Sequence, residues 1–160
     1  MGMDINTVLI KSSNINKQEL LDFIEKYDIE FEDLSSVEGY EVLPIDDEDI
    51  ECFNISEEIS KKFNTITISL FICDSDYAVF HLIDSDINIR IIINKNLAIS
   101  YDYEKLDQNA DLLINYVDDS ISKDDIKRII NEEYIFAEDG LSKILDLFHI
   151  NFNEIVSSNE

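Results

Sequence analysis

The chain has 160 residues, with 36 acids against 12 Lys and Arg, a net charge of −24, and 45% apolar residues that include nine Phe and seven Tyr. That length suits one compact domain able to bury roughly 70% of the surface its unfolded chain exposes, and the apolar content excludes a chain disordered by charge. The negative field repels phosphate backbones and attracts basic surfaces, so direct nucleic-acid binding is not expected and a basic protein partner is.

In chain order, the start MGMDINTVLI lacks the basic region and small-residue cleavage site of a signal peptide. No apolar run approaches the eighteen or so residues of a membrane span, so a cytoplasmic protein without membrane contact is expected. The segment NKQELLDFIEKY from Asn16 predicts a helix. Asn16 and Glu19 have capping-box spacing, and Leu20, Ile24 and Tyr27 share one face. From Asp28 to Ser36 acids alternate irregularly with Ile29, Phe31 and Leu34, and Tyr40 to Leu43 predicts a short strand ended by Pro44. Next comes PIDDEDIECF, a loop with Asp46, Asp47, Glu48, Asp49 and Glu51 within six positions. A short helix is expected from Ser56, with Glu57 and Glu58 in its first turn and Lys61 and Lys62 in its last.

Residues 65 to 103 carry four β-branched or aromatic runs, TITISLFIC, YAVFHLI, INIRIII and LAISYDY, separated by DSD, DSD and NKN. This predicts a four-stranded antiparallel meander. Ile66, Ile68, Leu70 and Ile72 would share its apolar face with Ala78, Phe80 and Leu82, with Ile87, Ile89, Ile91 and Ile93, and with Leu97, Ile99, Tyr101 and Tyr103. Three-residue turns at 74–76 and 94–96 keep those sets in phase, whereas the connection from 83 to 87 needs a two- or four-residue loop or a bulge. Three helical patterns follow. Leu106, Ala110, Leu113 and Val117 form one, a helix opened by Ser122 and Asp125 carries Ile126, Ile129 and Ile130, and Leu141, Ile144, Leu145 and Phe148 stripe the third. The expected fold is therefore α+β: a four-stranded meander with an N-terminal helix and about three C-terminal helices, in one domain over 1–160 with 151–160 as a frayed tail.

Residues with chemical potential are few. Cys52 and Cys73 have no CxxC or His partner and read as reduced, at least half-buried thiols. On the sheet face opposite the apolar one, Ser69, His81, Arg90 and Asp102 come together. A mid-strand Ser lacks the backbone donors a nucleophile needs, so this face is read first as solvated or partner-contacting, then as covered by a helix, and last as an active site. DQNADLLINYVD from Asp107 to Asp118 resembles part of a calcium loop but lacks its sixth-position Gly and terminal Glu, and the DSD turns resemble a metal-holding DxD while also being ordinary turn sequence. His149 reads as a partly buried helix residue. No GxGxxG, GxxxxGK[ST], HExxH or GxSxG occurs, so no metal, no cofactor and no enzymatic activity are expected.

By segment, residues 1–64 hold seventeen acids and five bases, residues 65–103 five and two, and residues 104–160 fourteen and five, so the surroundings of the sheet carry the field. The acid-rich loop is either a solvated loop that keeps the chain soluble or a contact surface that speeds association with a basic partner. In composition and architecture (small, acidic, low in Gly and Pro, rich in Ile, Asn and Asp) the chain resembles the immunity proteins of bacterial polymorphic and contact-dependent toxin systems. The resemblance implies a protein that binds the C-terminal domain of a cognate toxin, often a basic nuclease, and blocks its active site or an adjacent surface. Candidate contacts would be Asp46, Asp47, Glu48, Asp49 and Glu51, with Glu30, Glu32 and Asp33 nearby. An acidic secretion chaperone, an anti-restriction or anti-CRISPR type of nucleic-acid mimic, and a small enzyme on the outer sheet face are the alternatives.

Overall fold

The computed structural model describes residues 2–13, 15–27, 34–45 and 52–158. Its strands are β1 (Ile5–Lys11), β2 (Ser35–Val37), β3 (Tyr40–Pro44), β4 (Thr67–Cys73), β5 (Tyr77–Asp84) and β6 (Ile87–Ile93). Its helices are α1 (Lys17–Glu25), α2 (Cys52–Phe63), α3 (Lys95–Ser100), α4 (Lys123–Asn131), α5 (Ala137–Leu147) and α6 (Phe152–Ser158), with a 3₁₀ helix at Ala110–Tyr116. The fold is α+β, built on one antiparallel sheet of six strands rather than four, in the order β2-β3-β1-β4-β5-β6.

The meander extends through three strands and then stops. Cys73 pairs with Tyr77 across the expected three-residue turn, and Asp84 pairs with Ile87 across a two-residue loop, the shorter of the connections that the change of parity required. Ser85 opens that loop at φ 53°. LAISYDY is a helix and a turn instead of a fourth strand. Asn94 takes a left-handed conformation, φ 59°, and is held there by its side chain, which donates to the carbonyls of Asp76 and Tyr134 and accepts from the Tyr134 N–H. That clamp turns the chain out of the sheet. Leu97, Ile99 and Tyr101 are consequently exposed and Ala98 is buried, so the alternation that suggested a strand has no buried face behind it.

Beyond β6 the chain returns. Arg90 and Gln108 exchange backbone hydrogen bonds, the Asp107 carboxylate accepts from the Ile92 N–H, and its other oxygen lies 3.1 Å from Lys95 Nζ. Part of the β6 edge is thereby occupied, which limits its pairing with another chain. At the opposite edge, Glu38 and Gly39 connect β2 to β3 in a two-residue turn with φ 49° and 86°, both on the positive side that such hairpins require and that Gly reaches without strain.

One face of the sheet carries the larger core. Leu9, Ile68, Leu70, Phe80, Leu82 and Ile91 are fully buried there against Leu141, Ile144, Leu145 and Ile155 of α5 and α6. Each such side chain contributes about 1.5–3 kcal/mol. Ile87, assigned to this face, is 38% exposed at the start of its strand. The other face is split: Val8, Ile10 and Leu43 meet Leu20 and Ile24 of α1 and Ile55 and Ile59 of α2, while Tyr77, Val79 and Ile92 form a separate small cluster with Ala98.

The remaining corrections have local causes. Helix α2 starts one turn before Ser56, whose hydroxyl does not cap it but donates to Thr67 Oγ1 at 2.7 Å inside the core; Glu57 and Glu58 fall past the first turn, while Lys61 and Lys62 do occupy the last. The 106–117 pattern forms a 3₁₀ helix, with Leu113 buried and Leu106 76% exposed. The tail is ordered as α6 through residue 158, because Phe152 and Ile155 are buried in the main core. Asn16 caps α1 through the Glu19 N–H at 3.1 Å, and Ser122 and Asp125 form a reciprocal capping box on α4. Among the described residues no helix is long and apolar enough to cross a membrane.

Candidate functional site

Ser69 of β4, His81 of β5 and Arg90 of β6 are direct cross-strand neighbours, Ser69 paired with His81 and His81 with Arg90. The sequence pattern thus placed three of the four residues on one face, although Arg90 lies opposite His81 and not diagonal to it. Asp102 is elsewhere: it occupies the exposed turn after α3 at φ 61°, because the fourth strand does not exist. Nor is the face solvated at its centre. Ser69 is 3% and His81 4% exposed, since the first turn of α2 and the returning segment 103–108 border it.

Between those elements lies a cleft of about 210 Å³, lined by Asn6, Cys52, Phe53, Ser69, Phe71, Tyr77, Val79, His81, Arg90, Tyr103 and Lys105. The Phe53 ring stacks on the His81 imidazole, centroids 4.1 Å apart and planes 29° from parallel. Lys105 Nζ lies 5.8 Å from the other ring partner, the Phe53 centroid. Further along, Phe71, Tyr77 and Tyr103 form a series of tilted rings 5.5–5.9 Å apart. Arg90 donates through Nε to the Leu106 carbonyl at 2.8 Å, which fixes its guanidinium at the rim.

Burial and the neighbouring cations Arg90 and Lys105 push the imidazole of His81 down from 6.5 to about 4, with desolvation the larger cause. At neutral pH His81 is uncharged. Asn88, next along the same face, slightly favours protonation, yet neither Asn88 Oδ1 nor His81 Nε2 completes a hydrogen bond, and both atoms are buried. No hydrogen bond joins Ser69 to His81, so the pair lacks the geometry of an activated nucleophile. The cleft has the composition of a small binding site, with flat apolar walls, two cations at the rim and a neutral imidazole.

The acids singled out as partner contacts, Asp46, Asp47, Glu48, Asp49 and Glu51, with Glu30, Glu32 and Asp33, lie outside the described residues. Their flanks do not. Leu34, Ile45 and Cys52 are buried in the cluster formed by α1, α2 and β3, and Tyr27 packs against it. Residues bordering both acidic segments are therefore anchored in one apolar cluster.

The remaining candidates are engaged in structure. His149 follows α5 as an exposed residue at φ 60°, with Nε2 2.6 Å from Asp118 Oδ2, and is not a partly buried helix residue. Asp107 binds Ile92 and Lys95, and Asp118 binds His149, so the calcium-loop pattern is dispersed. In the first DSD turn Asp74 accepts from the Gly2 N–H, Ser75 accepts from the Met3 N–H and donates to Glu138, and Asp76 accepts from the Tyr101 hydroxyl. Among the described residues no group of three His, Cys, Asp or Glu is placed to hold a metal. Cys52 is buried and Cys73 half-buried, and neither is in a disulfide among the described residues.

Sequence reasoning missed Phe53, Tyr103 and Lys105 as residues that line the cleft with His81. Phe53 belongs to a helix turn that the sequence did not reveal, and the other two reach the face only because the chain leaves the sheet at Asn94. Comparison with protein-family models, curated proteins and solved structures finds no match to the chain.

Proposed function

We propose that the chain is an acidic binding protein that neutralises a cognate basic protein by direct contact, in the manner of the toxin-immunity proteins it resembles, with a basic toxin domain such as a nuclease as partner. The observation that carries this reading is the distribution of charge. The chain carries thirty-six acids, and nine of them fall in segments 28–33 and 46–51, whose flanking residues share one buried cluster. Acids presented from a rigid base accelerate encounter with a basic surface at no cost in reorganisation. Binding in place of catalysis is favoured by the absence of a hydrogen bond between Ser69 and His81 and by the position of Asp102 in a separate turn. A cytoplasmic location and the lack of a membrane partner belong to the same proposal.

Affinity capture from the source cell at low salt, followed by mass spectrometry, tests it. A single basic toxin-like domain is expected on the column. Changing Asp46, Asp47 and Asp49 to Asn and Glu48 and Glu51 to Gln is expected to slow its association at low salt by about tenfold or more. Retention of several unrelated nucleic-acid enzymes, or an association rate indifferent to both salt and the five substitutions, would overturn the reading.

A further inference from the structure

The His81 cleft has a chemistry opposite to that of the rest of the chain. Overall there are three acids for each base, yet among the described residues the lining holds Arg90 and Lys105 and no carboxylate. Neither cation has an ion pair among those residues. With Nε committed to the Leu106 carbonyl, Arg90 keeps its terminal nitrogens for a planar acceptor, and a guanidinium fork matches a carboxylate in shape as well as charge. The walls are flat rings, with Phe53 stacked on His81 and the Tyr77 and Tyr103 rings tilted against each other. A buried imidazole completes the wall, its Nε2 without a hydrogen-bond partner.

Size narrows the occupant. An apolar cavity of about 150 Å³ accommodates one benzene, and drug-sized ligands occupy about 300–1,000 Å³. A space of about 210 Å³ therefore holds one ring and one small polar group. The rings favour a flat apolar body over an inorganic anion, which would lose its hydration against Phe53, Phe71 and Val79 and gain only two cations. We propose that this cleft binds a small aromatic carboxylate, its ring against Phe53 and the tyrosines and its acid group between Arg90 and Lys105. The site does not depend on the partner reading above, since it uses the cationic cleft and that reading uses the acidic segments.

The test is titration of the isotope-labelled full chain with benzoate and indole-3-carboxylate at about 0.15 M salt, followed by backbone NMR shifts and calorimetry. Benzamide, the neutral counterpart, and inorganic phosphate serve as controls. Benzoate is expected to bind with a Kd of about 1 mM or tighter and to shift Ser69, His81 and Arg90. Benzamide and phosphate should bind at least about tenfold more weakly, a difference that one charged contact supplies. Arg90→Gln and Lys105→Gln should each weaken benzoate by a similar factor and leave benzamide unchanged. Lys105 is exposed, whereas Arg90→Gln forfeits the bond to the Leu106 carbonyl, so an unchanged shift pattern for residues 103–108 and for α5 and α6 verifies that each variant keeps the cleft wall and the fold. The proposal is overturned by an absence of shifts at about 10 mM benzoate, by shifts confined to other surfaces, or by benzamide or phosphate binding as well as benzoate.

Discussion

Three constraints fall on the titratable side chain of His81, which is stacked on Phe53, buried, and faced by Arg90 and Lys105. In the unfolded chain its imidazole takes a proton near 6.5, whereas in the fold it resists until about 4. Between those values the unfolded chain binds the additional proton, so acidification favours unfolding. The contribution of His81 is fully present above about pH 6.5 and is lost as the pH falls toward 4, up to about 3 kcal/mol. Urea unfolding of the parent and of His81→Phe measures it, because the other acids titrate equally in both. The parent should lose roughly that amount relative to the variant across this window, and a pH-independent difference would show that the imidazole is not held neutral. His149 makes a second case. It occupies the left-handed position after α5, with its N–H on the Asp146 carbonyl and that of Ile150 on the Leu145 carbonyl, a helix ending that favours Gly. His149→Gly should stabilise the fold by about 0.5 kcal/mol in urea titration, since the contact it forfeits with Asp118 is between exposed groups. The face of His81 was legible in the sequence, because strand parity is strictly local. Its burial was not, since that depends on where Phe53 and Lys105 arrive.

Among elements, α6 gives the clearest energetic prediction. Ile155 is fully buried at the meeting of α6 with the main core, so Ile155→Ala should cost about 2–5 kcal/mol in urea unfolding, whereas a frayed tail would register almost nothing. Ser122→Ala, which removes the cap on α4, should cost about 1 kcal/mol by the same measurement. Strands β4 to β6 and their turns were readable because one face alternates cleanly. Strand β1 was not, since Val8, Leu9 and Ile10 are buried on alternate faces in a continuous apolar run, which erases the period of two. Helix α3 failed in the opposite sense: Leu97, Ile99 and Tyr101 alternate by sequence, but Asn94 is tied to Tyr134 forty residues away, and no local pattern reports that bond.

For the molecule as a whole, the field of −24 is scarcely neutralised: the ion pairs among the described residues include Lys61 with Glu57, Lys95 with Asp107, Arg128 with Asp125 and Lys143 with Glu132. Self-repulsion then opposes the compact state, and salt relieves it. Raising sodium chloride from about 0.01 to 0.5 M, which shortens the screening length from about 30 Å to a few ångströms, should raise the Tm by several degrees in calorimetry; a flat or falling Tm would mean that the charges are spaced too widely to matter. The order of strands has a consequence for synthesis. Strand β1, made before the other five strands of the sheet, lies between β3 and β4 in the finished sheet, so both of its edges wait for sequence not yet made. Roughly 60 residues separate Lys11 from Cys73, a delay of about 3–12 s at ordinary elongation rates. Until β3 emerges the run Val8–Leu9–Ile10 is a nascent apolar segment with unpaired backbone on both sides, and until β4 follows it stays unpaired on one, suited to recognition by a ribosome-associated chaperone.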